Sequence, residues 1–245
     1  MNERVTSWPP ETASPLARAA PGPVVIAGPE RPAGVALLAH GRNGAPDQPQ
    51  IAEIARAYLA RGWRVVAPEL PHSAALPGSG PASGLTLAGH VAAAGAMLGW
   101  MQETWPAMPL ALAGHSIGGY GVGMMAGHSG LHHVLAVSPV LSGPLLLAAR
   151  VAMGPQALTE LAREAPLYRA ELDTADAAPV LQGSPVPVAV VTGLEDGVVT
   201  PDHARAYFVA ARQGRFFAAL PGQHHCPEGP DCAAALGAAL MAVGA

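Results

Sequence analysis

The sequence predicts an α/β protein: a mostly parallel central sheet with helices on both faces. Three observations predict it. Short apolar runs punctuate the 245 residues at 35–39, 63–67, 110–113, 134–137, 186–191 and 216–220. They are continuous rather than alternating, the pattern of strands buried on both faces. Between them lie segments with helical spacing and readable ends. Strand and helix therefore alternate, which implies βαβ units and a mostly parallel sheet with helices on both faces.

The elements follow in order. Residues 1–22 are polar and Pro-rich and read as a flexible tail, leaving 23–245 as a single domain. Val24–Ala27 makes a short first strand, closed by a Pro/Gly turn at 28–34. Asp47 can cap a helix that carries Ile51, Ile54, Ala55, Tyr58 and Leu59 on one face and stops at Gly62. A Pro/Gly/Ser loop spans 76–84, too short to separate two domains. Leu87, Val91, Ala94, Leu98 and Met101 then repeat at helical spacing. The uncharged stretch 85–101 is short and broken by His90, so it predicts a helix covering the sheet rather than a bilayer span.

The interval 139–185 holds an apolar stretch at 145–153 and one clear helix at 156–164. A small lid within 141–185 fits it; a large cap domain does not. Thr200-Pro201 is a cap followed by Pro at the first helical position, with Gly214 as the stop. Asp231 can start a final Ala-rich helix.

Composition excludes several classes. Half the residues are apolar, only 12% are charged, and the net charge is −4. No Lys/Arg cluster is present, so a nucleic-acid partner is not expected. Met1-Asn2-Glu3-Arg4 is not followed by an apolar h-region, so no signal peptide is visible and a cytoplasmic location is expected. Cys226 and Cys232 are then expected as free thiols. Together with His224 and His225 they match no standard zinc spacing, and neither metal nor cofactor is expected. The oligomeric state has no signature.

The central motif is Gly114-His115-Ser116-Ile117-Gly118, directly after the apolar run 110–113. A sharp strand-to-helix turn needs small residues two before and two after the Ser, because a Cβ there would clash. Such a turn lifts the hydroxyl above the carboxyl edge of the sheet, where open α/β folds bind ligands. In a chain with 29 glycines the pattern alone is weak. Its strand-before, small-residue-helix-after context strengthens it, although Gly118, Gly119, Gly121 and Gly123 make a poor intrinsic helix.

On these residues the chain resembles the α/β-hydrolase superfamily, in its compact serine hydrolase or carboxylesterase form, over about residues 24–243. The resemblance implies Ser116 as nucleophile. The segment Thr192-Gly193-Leu194-Glu195-Asp196-Gly197-Val198-Val199 resembles the family's acid loop and matches Asp196 to its carboxylate, with Glu195 the adjacent competitor. After the last strand comes Pro221-Gly222-Gln223-His224-His225-Cys226, where the family's spacing selects His225 as base, with His224 next to it. The run 35–39 ends in His40-Gly41-Arg42-Asn43-Gly44, which implies the backbone N–H of Arg42, with that of Ile117, as the oxyanion hole. His40 is expected to be structural.

Other candidates are weaker. Glu69 and His72 sit near the carboxyl edge but read as turn residues. His132 and His133 precede a strand, at the end away from the site, and His128 and His203 read as surface. The implied reaction is acyl transfer from a small-molecule ester to water through an acyl-enzyme. Few charges near the expected mouth point to a small neutral or apolar ester. Thioesters and peptides would use the same triad, and the fold also serves non-catalytic binding proteins. The compact dienelactone-hydrolase-like branch usually carries Cys as nucleophile, from which Ser116 departs.

Overall fold

β1 (Val24–Ala27), β2 (Val35–Ala39), β3 (Arg64–Pro68), β4 (Leu110–His115), β5 (Leu131–Val137), β6 (Val188–Gly193) and β7 (Gly214–Leu220) form one sheet in the computed structural model, which describes residues 8–10 and 13–245. The strand order is β1-β3-β2-β4-β5-β6-β7. β1 runs antiparallel to β3, and every other pairing is parallel.

The continuous apolarity of the strands is explained by two cores, one on each face. Val35, Leu37 and Ala39 of β2, Leu110 and Leu112 of β4, and Val188 and Val190 of β6 point into one. Ala36, Leu38, Ala111, Ala113, Ala189 and Val191 point into the other. The period-2 alternation of a strand thus divides apolar residues between two dry faces. α2 (Leu87–Thr104), α3 (Ile117–Met125) and α8 (Pro201–Ala210) cover the first face, while α1 (Pro49–Ala60) and α9 (Gly229–Ala242) cover the second.

Helix ends follow local chemistry. Thr86 Oγ1 accepts from Gly89 N at 2.9 Å, and the Glu171 carboxylate takes the Leu87 and Ala88 N–H groups, so α2 is capped twice. Thr200 Oγ1 accepts from His203 N at 3.3 Å, as its Thr-Pro start predicts. Asp47, in contrast, does not cap α1. Pro49 sets the first turn, Gln48 occupies the cap position without a side-chain cap bond, and its Oε1 accepts from Ala45 N instead. α8 ends at Ala210 rather than Gly214, which opens β7.

The interval expected to hold one helix holds four: α4 (Gly143–Ala152), α5 (Pro155–Glu164), α6 (Pro166–Glu171) and α7 (Ala178–Gly183). Pro at the first or second position starts each; α5 is the helix expected at 156–164, and the other three are short enough for the apolar periodicity to escape notice. His203 is not on the surface: only 3% exposed, its Nε2 accepts from Leu141 N at 2.9 Å and lies 3.4 Å from Ser142 N. Of the expected 1–22 tail, residues 1–7 and 11–12 lie outside the described residues. Trp8 is buried and donates Nε1–H to Pro46 O at 2.7 Å, and Leu16 and Ala17 of a 3₁₀ turn pack on the core. No helix among the described residues is long and apolar enough to cross a membrane.

Candidate active site

The chain steps from β2 outward to β3 and then back across β2 to β4. The loops leaving β2 and β4 therefore diverge at a switch point at the carboxyl edge, where an open parallel sheet has a crevice. One loop carries His40–Gly44 and the other carries Ser116.

Ser116 has φ 58° and ψ −120°, a conformation rarely adopted by a residue with a side chain. Its neighbours hold it there. Ser116 N donates to Val137 O at 3.0 Å, and Ser116 O accepts from Val140 N at 3.1 Å and Tyr120 N at 3.3 Å. A Cβ on Gly114 would lie 2.3 Å from Gly118 O, and one on Gly118 would lie 2.2 Å from Ala39 O. The Gly-rich α3 persists by packing rather than propensity: it is almost wholly buried, and Tyr207 Oη donates to Gly119 O at 2.9 Å. Gly118→Ala should therefore destabilise by about 3 kcal/mol, since the opposing atoms are backbone and cannot swing away. A urea titration reads this as a lowered midpoint at unchanged slope, and an unchanged midpoint would contradict the packing argument.

His225 bridges the elbow and the acid loop. Its Nε2 lies 3.0 Å from Ser116 Oγ and its Nδ1 lies 2.9 Å from Asp196 Oδ2. With Nδ1 protonated toward the carboxylate, Nε2 is free to accept the serine proton. Asp196 Oδ1 accepts from Val198 N at 2.8 Å and Val199 N at 2.9 Å. Burial alone would raise the Asp196 pKa. The hydrogen bond and charge of His225, then the Val199 and Val198 N–H groups, outweigh burial and hold it below the ordinary carboxylate range.

The two neighbouring candidates lie outside this relay. Glu195 and His224 are exposed, and His224 Nδ1 donates to Glu195 O at 3.0 Å, stitching the two loops together. Glu195 N donates to Gln223 O at 3.0 Å and Leu194 N to Leu220 O at 2.9 Å, completing the seam. The backbone N–H groups of Arg42 and Ile117 find no acceptor among the described residues, and both residues line the cavity that contains Ser116 and His225. His40 does hold structure: Nδ1 donates to Gly41 O at 2.9 Å and Nε2 accepts from Leu70 N at 2.9 Å. Burial pushes its pKa down to about 4, so it stays neutral in this role.

Sequence reasoning missed three residues here. His115 is buried, and its Nε2 donates to His225 O at 2.8 Å, bracing the backbone of the imidazole. Burial, then the nearby His225, pushes the His115 pKa down to about 3. Arg150 and Tyr168 line the same cavity of about 290 Å³, beside Leu146 and Val198. They come from α4 and α6, segments with no motif. The expectation of few charges at the mouth is therefore corrected: Arg42 and Arg150 both line it.

The remaining candidates lie elsewhere. Glu69 sits beside Pro15 and Val24, away from the cavity. His72 Nδ1 donates to Pro81 O at 2.8 Å. His132 and His133 lie at the start of β5, where His133 Nε2 and Tyr58 Oη are 2.7 Å apart. His128 is exposed. Cys226 is exposed and Cys232 buried, unbridged. Among the described residues no His, Cys, Asp and Glu cluster has the shape of a metal site.

Solved structures with the same architecture are numerous. Est1E from Butyrivibrio proteoclasticus, solved with ferulic acid, superposes with a TM-score of 0.70 at 16% identity, over 89% of this chain and 93% of that one. XC6422 from Xanthomonas campestris, described as an α/β serine hydrolase without a lid, gives 0.65 at 18% identity, over 91% and 90%. The esterase domain of a Rhodothermus marinus protein gives 0.64 at 19% identity, over 89% and 91%. No protein-family model and no curated protein sequence matches the chain.

Proposed function

We propose, from the premise that this chain has the α/β-hydrolase fold, that it is a serine hydrolase cleaving carboxylic esters through Ser116, His225 and Asp196. The observation that carries the proposal is the hydrogen-bonded relay of these three side chains, opening on a cavity with two unengaged backbone N–H groups. The esterases among the structural neighbours favour ester over other acyl substrates.

In the proposed reaction Ser116 Oγ attacks the ester carbonyl carbon while His225 Nε2 takes its proton. The carbonyl oxygen becomes an oxyanion and accepts from Arg42 N–H and Ile117 N–H. Collapse breaks the C–O bond to the alcohol, which leaves with the proton from His225. Water then attacks the acyl-enzyme with the same base, releasing the acid and restoring Ser116. Asp196 remains ionised throughout, fixes the tautomer, and stabilises the imidazolium as it forms. The short helices α4 and α6 act as a small lid that walls one side of the cavity through Leu146, Arg150 and Tyr168.

The test is labelling by a fluorophosphonate probe, followed by a panel of 4-nitrophenyl esters of increasing chain length. A single adduct on Ser116 and turnover of at least one ester are expected. Absence of both from folded protein would instead fit a binding protein on this fold.

A further inference from the structure

We propose that the cavity over Ser116 is shaped for an ester carrying its own carboxylate, gripped by the guanidinium groups of Arg150 and Arg42. The chemistry of cleavage rests on the serine-hydrolase proposal; the anion grip does not.

The cavity wall holds two arginines and no Asp or Glu. Leu146 and Arg150 are four residues apart on α4, so one helix face presents both to the cavity. Arg150 is half-buried, and its Nε is shut off from solvent without a hydrogen-bond partner among the described residues. Its polar contact is a weak one, Nη1 to Met153 Sδ at 4.0 Å. Arg42 shares its acid: its Nη1 pairs with Glu164 Oε2 at 3.7 Å, and Arg163 pairs with the same carboxylate at 3.8 Å. Glu164 stands outside the cavity. Asp196 lies beneath His225 with both oxygens engaged.

The two arginines that line this small cavity repel each other, and Arg150, partly buried and without a salt-bridge partner among the described residues, is costly to hold charged. Burial, and next the charge of Arg42, lowers the Arg150 pKa from its usual value, while Tyr168 and Glu164 act weakly the other way. A bound anion would relieve both costs. A carboxylate suits the guanidinium fork, which meets its two oxygens with parallel N–H bonds. The cavity is at the lower end of small-molecule sites, and apolar Leu146 and Val198 leave room for a short methylene spacer. A half-ester of a short dicarboxylic acid has that chemistry.

The experiment compares 4-nitrophenyl hydrogen glutarate with 4-nitrophenyl pentanoate, which share acyl length and leaving group. In the unsubstituted protein kcat/KM for the anionic ester should exceed that for the neutral one at least tenfold. That ratio should fall at least tenfold in Arg150→Met, mainly through KM, and recover in part in Arg150→Lys. Arg42→Gln, on a different element, should lower it in the same direction. A ratio of one or less, or a ratio unmoved by either substitution, overturns the proposal. Binding of glutarate to Ser116→Ala, followed by calorimetry, gives a readout without turnover; it should weaken at least tenfold when Arg150→Met is added. Ser116 labelled without any anion preference would overturn the grip and leave the hydrolase proposal standing. Arg150-dependent glutarate binding without labelling would do the opposite.

Discussion

Ser116→Ala is expected to lower kcat/KM for the best ester by about 10⁴- to 10⁶-fold with the melting temperature nearly unchanged. The substitution removes one atom, whose partner is His225 Nε2 at 3.0 Å. Cβ remains, so the strain at φ 58° is carried over rather than altered. The residual rate would come from the Arg42 and Ile117 N–H groups and from binding. Asp196→Asn should act by another route and cost about 10⁴-fold. Val198 N and Val199 N need an acceptor, so the amide oxygen must face them. The amide NH₂ then meets His225 Nδ1, forcing the proton onto Nε2, where it blocks acceptance from Ser116. Single-turnover kinetics on both variants separates lost nucleophile from wrong tautomer. A folded Ser116→Ala variant with full activity would end the assignment.

Acid should unfold this protein well before its carboxylates protonate. His40, His90, His115, His133 and His203 are all buried. Burial is the largest cause in each case, lowering His40, His90 and His203 to about 4 and His115 and His133 to about 3. In the unfolded chain these groups titrate at their ordinary value of 6.5. Between pH 6.5 and about 4 the unfolded state thus binds more protons than the native state. Stability must fall as pH falls through that window, by up to about 1.4 kcal/mol per pH unit for each histidine. At pH 5 that is about 2 kcal/mol each, and the five together rival the roughly 5–15 kcal/mol that holds a domain folded. Asp196 acts lower down: its depressed pKa adds stability that is present above the ordinary carboxylate range and lost only as pH falls beneath it. Urea titrations from pH 7.5 to 5 should show a steep loss whose slope counts several protons. His203→Gln, whose amide oxygen can accept from Leu141 N, should remove about one of them. Stability flat across this range would mean that the histidines are not held neutral by burial.

How far the sequence reached can be traced through particular residues. Strands buried on both faces must be apolar at every position, so the runs at 35–39 and 110–113 announced themselves. Gly114 and Gly118 were legible because a steric demand within five residues admits nothing larger. Thr200-Pro201 was legible as a cap, whereas Asp47 misled because Pro49 moves the start of α1 past it. Glu195 against Asp196, and His224 against His225, were open in sequence because neighbours in a turn point in opposite directions, and only the folded chain decides which faces inward.

By itself, then, the chain determined its alternating βα order and the segments carrying a hydroxyl, a carboxylate and an imidazole to one rim of the sheet, because these are consequences of local burial and backbone sterics. Packing between distant segments decided the rest: His115 bracing the backbone of His225, His203 sinking beneath Leu141, and Arg150 with Tyr168 closing the cavity. Those meetings depend on how short helices settle over a sheet edge, a long-range geometry that leaves no periodicity or motif along the chain.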